Sequence, residues 1–213
     1  MSLKIPIETS ARHVHICEAD FKILFGEDAV LHYVHELSQP GQYLCQERVT
    51  VMGPRGRFEN VAILGPFRPE TQIELSMTDT RKIGVPGVIR QSGYTEGTPG
   101  CQLVGPKGVI NLEKGIIVAK RHIHMTPREA SLAHVKDNDE VFVITQSFER
   151  GLIFADVVVR VSPKFKLAMH VDTDEANAFG SDSTPTGAIL KLFDGQTYSL
   201  QQWADEVASG INR

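Results

Sequence analysis

Cysteine is scarce: Cys17, Cys45 and Cys101 are the only three, an odd number without a Cys-x-x-Cys spacing. This supports neither a disulfide framework nor a zinc ribbon, and it fits a reducing cytosol. Basic residues are not in excess either. A formal net charge of −4 with 23% charged residues argues against a nucleic-acid partner, although a few placed cations would still hold a small anionic substrate. No apolar run is long enough to span a bilayer, and Met1-Ser2-Leu3-Lys4 lacks the apolar core of a signal peptide, so no membrane partner is expected. The Gly-x-Ser-x-Gly nucleophile elbow is missing, and none of the cysteines sits in a catalytic context. Nor is there the strand-helix alternation of a TIM barrel. What is left is a globular chain of 213 residues, enough for one large domain or two small ones.

Within it one pattern occurs twice: Ala11-Arg12-His13-Val14-His15-Ile16 and Lys120-Arg121-His122-Ile123-His124-Met125. Each has a basic residue, two histidines flanking a β-branched residue, and an apolar residue. On a strand, both histidines of a pair share one face. Neutral imidazole is the commonest protein metal ligand, so two such pairs in matching frames predict metal binding. Catalytic metals usually take three protein ligands and leave a position open. His170, on a later strand, completes the second pair. The corresponding strand of the first half carries Glu74 between Ile73 and Leu75. The expected sets are therefore His13, His15 and Glu74 for one ion, and His122, His124 and His170 for another. Zinc suits such ligands best, with cobalt, manganese and iron open on ligand type. His32, His35 and His134 read as surface or packing residues. Arg68, in the Pro-stiffened Leu64-Gly65-Pro66-Phe67-Arg68-Pro69, is placed to clamp an anion, since guanidinium matches phosphate oxygens.

The periodicity is mainly that of strands. Residues 4–17 read as one strand, followed by a short helix from Glu18 that breaks at Gly26. Short strands with turn punctuation then cover 47–52, 58–64 and 71–77, and the Gly/Pro-rich stretch from Gly84 to Gly100 reads as surface loop. A hairpin over 103–110 leads to a strand from Gly115 to Met125. Thr126-Pro127-Arg128-Glu129 opens another short helix with a capping box, and strands resume at 140–145, 151–161 and 166–171. Short strands at regular spacing predict barrels or sandwiches. Both halves run His-x-His strand, short helix, hairpin strands, closing strand, a degenerate duplication that implies two similar β-domains with short helices. The tail reads as linker from Gly180, a strand over 188–193, and an amphipathic helix from Ser199 with Leu200, Trp203, Val207 and Ile211 on one face.

Ser10-Ala11-Arg12-His13-Val14-His15, Leu37-Ser38-Gln39-Pro40-Gly41-Gln42, Leu64-Gly65-Pro66 with Arg68, Glu74-Leu75-Ser76, Gly97-Thr98-Pro99-Gly100, Ala119 to Pro127 and Met169 to Asn177 follow one another in order. Together they resemble the PduL-type phosphate acyltransferases of bacterial microcompartments. The resemblance implies two small β-barrel domains with a dinuclear zinc site between them. Residues 1–11 with 120–189 would build one barrel and 12–119 the other, leaving 190–213 as the tail. It implies the reaction acyl-CoA plus phosphate to acyl phosphate plus CoA, with a propionyl or acetyl group, by metal-assisted direct acyl transfer. Two zinc ions would be held by the six residues above, Arg68 would meet phosphate, and Ser10 and Asn177 would lie near CoA. A homodimer, a bacterial cytoplasmic or microcompartment-lumen setting and a shell or cargo protein partner follow from the same likeness. Two departures stand out. Only about ten residues precede the first motif, where packaged members carry an amphipathic extension, so this member is expected to be cytosolic or trimmed. Met77 stands where an arginine is expected, which removes one anion contact. The residues alone leave two other readings open, a dinuclear metallohydrolase of a thioester or phosphoester and a non-catalytic metal-binding β-barrel.

Overall fold

The computed structural model describes residues 3–145, 150–180 and 185–190. In chain order the strands and helices of the first half are β1 (Ile5–Ser10), β2 (His13–His15), α1 (Glu18–Phe25), β3 (Tyr33–Glu36), β4 (Tyr43–Met52), β5 (Arg57–Gly65), β6 (Gln72–Glu74), α2 (Met77–Ile83), β7 (Ile89–Arg90), β8 (Cys101–Val104), β9 (Val109–Leu112) and β10 (Ile116–Ala119). The rest are β11 (His122–Met125), α3 (Pro127–Ala133), β12 (Glu140–Thr145), β13 (Ile153–Val161), β14 (Ala168–Asp172), α4 (Thr173–Phe179) and β15 (Thr186–Ile189). The fold is mainly β, with short helices. The chain divides into two compact units, one of residues 1–9 and 121–213 and the other Ser10–Lys120. No helix among the described residues is long and apolar enough to cross a membrane.

The unit holding both ends of the chain is a closed six-stranded barrel in the order β1-β14-β11-β13-β12-β15. Alternation along the strands sends Ile5, Ile7, Ile123, Met125, Val141, Val143, Val157 and Val159 into its core, where Phe154 and Phe179 also pack. The other unit is built on an open nine-stranded sheet, β7-β10-β6-β2-β5-β4-β8-β9, with β3 on β4. Val14, Ile16, Phe21, Leu24, Ile63, Ile73 and Leu103 fill that core.

Both units repeat one local plan. β2 lies between β5, parallel to it, and β6, antiparallel to it. β11 lies between β13, parallel, and β14, antiparallel. A parallel neighbour needs a crossover, and α1 with β3 and β4, or α3 with β12, supplies it. Just before each His-x-His an arginine grips the helix that follows the closing strand. Arg12 donates to both Asp79 carboxylate oxygens on α2 at 2.9 and 3.0 Å, and its guanidinium lies 4.3 Å from the Phe58 ring centroid. Arg121 donates to Glu175 on α4 at 2.6 Å and sits 5.5 Å from Phe154.

Two predicted strands are each broken in the structure. The stretch 4–17 divides into β1 and β2, and 115–125 into β10 and β11, and each break is where the chain passes between units. The strand read over 71–77 ends at Glu74, because Ser76 caps α2 by accepting from the Asp79 backbone N–H. Similarly, Asp172 and Glu175 form a capping box that starts α4. The capping box read at Thr126 and Glu129 is present as expected. In the tail, β15 begins at Thr186 rather than 188, while the helix read from Ser199 lies outside the described residues.

Candidate active site

His13 and Glu74 are cross-strand partners in the β2–β6 ladder, and His15 faces Gln72. Directly opposed residues bring their side chains together on one face of the sheet, so these four converge. His13 Nδ1 lies 2.8 Å from the Ala11 carbonyl, which can only accept, so Nδ1 carries the proton and the Nε2 lone pair faces inward. His13 Nε2 is 3.3 Å from His15 Nε2 and 3.5 Å from Glu74 Oε2, and His15 Nε2 is 3.8 Å from Glu74 Oε1. Burial, then the neighbouring His13, pushes His15 down to about 3, so it is neutral at physiological pH. Burial alone would raise Glu74, but His13, His15, the Ser92 hydroxyl and Arg68 outweigh it and hold the carboxyl below its ordinary range, ionised.

In the other unit His122 and His170 are cross-strand partners, with His124 two residues on. The three rings have centroids 4.6, 5.0 and 5.2 Å apart, and each offers a nitrogen within 4.8 Å of the others. His124 is buried against Phe165, and its Nδ1 has no hydrogen-bond partner among the described residues. Burial, reinforced by His122, His170 and Arg160, pushes His124 down to about 2. Three imidazoles crowd together here, and the buried His124 Nδ1 is left unsatisfied.

Both sets fit a metal ion. Ligands about 2.0–2.1 Å from a tetrahedral zinc lie about 3.3 Å from one another; His13 Nε2 stands 3.3 Å from His15 Nε2 and 3.5 Å from Glu74 Oε2, and each set offers three donor atoms within 4.8 Å of one another. Metal binding needs neutral histidine and ionised carboxylate, the states that burial favours at His15 and His124 and that the neighbouring groups favour at Glu74. The orphaned His124 nitrogen has the burial and company of a ligand atom.

Beyond the six donors, Gln72 and Ser92 surround Glu74. Gln72 Nε2 donates to Glu74 Oε1 at 2.7 Å, and Ser92 Oγ donates to the same oxygen at 2.9 Å. Arg68 Nη1 donates to Ser92 Oγ at 3.0 Å, which sets the guanidinium beside the Glu74 set. Ser92 lies in the Gly84–Gly100 stretch read above as surface loop, yet it is half-buried and its hydroxyl reaches the carboxylate. A lone serine in a Gly/Pro-rich loop has no sequence signature, whereas Gln72 shares strand parity with Glu74 and could have been found that way. Ser10 is half-buried at the end of β1, Asn177 is exposed on α4, and the two belong to different units. Away from the site, His32 pairs with Glu47 at 2.5 Å, and His134 caps α3 in a left-handed conformation.

The sequence profile of the phosphate propanoyltransferase family matches residues 6–182. The chain belongs to that family. It is 54% identical over 186 residues to a phosphate propanoyltransferase of Sebaldella termitidis, covering 87% of each chain. It is also 51% identical over 185 residues to one of Enterococcus faecalis, again over 87% of each. A third, from Thermotoga maritima, is 53% identical over 174 residues, 82% of this chain and 83% of the relative. Family membership makes this an enzyme of the phosphate acyltransferase class.

Proposed function

We propose that this phosphate acyltransferase interconverts acyl-CoA plus phosphate with acyl phosphate plus CoA, taking propionyl or acetyl groups, with two zinc ions held by the clusters described above. The observation that carries the reading is the pair of convergent donor sets at equivalent places in two similarly folded units, one His₂Glu and one His₃. His13, His15 and Glu74 would hold one ion, and His122, His124 and His170 the other. When bound, the ions would supply Lewis-acid polarisation of the thioester carbonyl and charge stabilisation for the departing thiolate.

The chain's own residues bind and orient. Arg68 presents a planar guanidinium that matches two phosphate oxygens and holds the anion for attack. One phosphate oxygen attacks the carbonyl carbon, the new C–O bond forms as the C–S bond breaks, and CoA leaves as thiolate. The Ala11 carbonyl fixes the His13 tautomer, and Gln72 and Ser92 fix the Glu74 carboxylate, so these groups need no rearrangement when charge develops. Ser10 and Asn177 are assigned to CoA contact on the family resemblance. Acyl-CoA and phosphate are the partners, in the bacterial cytoplasm or a microcompartment lumen as that resemblance implies.

The test is CoA release across acyl lengths, with and without phosphate, on protein of measured metal content. Release should require phosphate and two zinc equivalents per chain. Outer-shell changes at metal sites cost about 10–100-fold, so His124→Ala, which removes a ligand, should cost at least about 100-fold and one metal equivalent. Full activity in a metal-depleted His124→Ala variant would sink the scheme. Release by water alone would make the enzyme a metallohydrolase, and metal binding without turnover would leave a binding module.

A further inference from the structure

Ser92 is joined to three groups at once. Its Oγ lies 2.9 Å from Glu74 Oε1, 2.9 Å from Gln72 Nε2 and 3.0 Å from Arg68 Nη1. Chemistry assigns every proton. A serine hydroxyl has one proton to give and two lone pairs to accept with. Amide and guanidinium nitrogens only donate, and an ionised carboxylate only accepts. The hydroxyl proton therefore goes to Glu74, and the lone pairs take N–H groups from Gln72 and Arg68.

Gln72 is constrained in the same way. Its Oε1 accepts the Gly93 backbone N–H at 2.7 Å, so the amide cannot flip and its NH₂ faces Glu74 and Ser92. Glu74 Oε1 thus receives two donors, while Oε2 points toward His13 Nε2. No alternative arrangement satisfies these groups equally well.

We propose that Ser92 is a positioning residue that ties the phosphate-binding arginine to the metal-binding carboxylate, setting where phosphate meets the metal centre. The proposal rests on the reading of Arg68 as the phosphate contact. Ser92 touches no substrate in this scheme and acts through Arg68. Its loss should weaken phosphate binding, while at saturating zinc both the metal and acyl-CoA stay bound, because Gln72 still holds Glu74.

Four variants decide the matter, Arg68→Ala, Ser92→Ala, the double variant and Ser92→Thr, each with zinc content, KM for both substrates, and the Kd for inorganic phosphate by calorimetry. A hydrogen bond to a charged group is worth about 1.5–3 kcal/mol, which corresponds to about 10–150-fold. Ser92→Ala keeps the charge and loses only its placement, so a rise in phosphate KM and Kd of about tenfold is expected. With zinc in excess, so that a lower metal affinity does not empty the site, zinc content and the acyl-CoA KM should stay at wild-type values. In the Arg68→Ala background, Ser92→Ala should add nothing to phosphate binding, since residues in one network couple. Ser92→Thr, which keeps the hydroxyl, should bind phosphate within about threefold of wild type. If Arg68→Ala leaves phosphate binding unchanged, the reading of Arg68 itself fails. If Arg68→Ala weakens it while Ser92→Ala does not, or Ser92→Ala still adds its full effect without Arg68, Ser92 has no such role. Loss of zinc or an equal rise in the acyl-CoA KM in Ser92→Ala also overturns the proposal, as does a Ser92→Thr variant as weak as Ser92→Ala.

Discussion

At the scale of single residues, the juxtaposition at the site follows from strand parity. Residues two apart share a face, so His13 and His15 had to point together, and the closing strand had to bring something opposite them. The identity of that third side chain could be read too, because Glu74 and His170 hold equivalent registers against the first histidine of each pair. The Ser92 hydrogen bonds could not be, since they depend on a loop path that leaves no period in the sequence. Arg12 is a second residue whose role only the fold reveals. It pairs with an Asp79 side chain that is 7% exposed, while its own is 42% exposed. Breaking a buried pair from one side costs about 3–5 kcal/mol, and the exposure of Arg12 places Arg12→Ala at or below the lower end, about 2–3 kcal/mol. The double variant Arg12→Ala/Asp79→Asn should be more stable than Arg12→Ala alone in urea denaturation, because it leaves no stranded charge. The cysteines give a chemical check. Burial pushes the Cys45 thiol up to about 11 and Cys101 up to about 12. A raised thiol pKa means far less thiolate at pH 8 than the roughly one quarter found for a free cysteine. Iodoacetamide at pH 8 should therefore leave Cys45 and Cys101 unmodified in the folded enzyme, as peptide mapping would show.

Among elements, strands were legible as strands, but their ends were not. Ile5 and Ile7 are core residues at odd positions, whereas Val14 and Ile16 are core residues at even positions. An unbroken strand cannot change phase, so this slip was the sign that 4–17 holds two strands in two sheets. Lys120 and Arg121 mark the same kind of break between β10 and β11. Helices α2 and α4 have seven residues each, too few to show an amphipathic period, and only their caps announce them. Ser76 three residues before Asp79, and Asp172 three before Glu175, are the same signal that revealed α3. Thr126→Ala removes one such cap and should cost about 1 kcal/mol of unfolding free energy in urea, with Thr126→Ser close to neutral.

On the scale of the whole molecule, one unit is inserted into the other. The barrel is left after β1 and rejoined at β11, strands separated by β14 alone. With neighbouring strands about 4.8 Å apart, that gap is about 10 Å. Three or four extended residues would bridge it. Replacing residues 10–120 with a four-residue Gly/Ser linker should thus leave a barrel with a β-type circular dichroism spectrum and a cooperative thermal transition. A broad, non-cooperative transition would mean that the barrel needs its insert.

The same layout fixes an order in time. Ile5 of β1 pairs with Gly187 of β15, and Pro6 with Thr186. At about 5–20 residues per second, the ribosome needs on the order of 10–35 s to deliver that partner after β1 has been made. The inserted unit contains all its own strands and can fold in that interval. Through it the nascent chain trails an apolar ribbon, Ile5-Pro6-Ile7, with nothing yet to pair it, and the crowded cell is where that wait has to be survived.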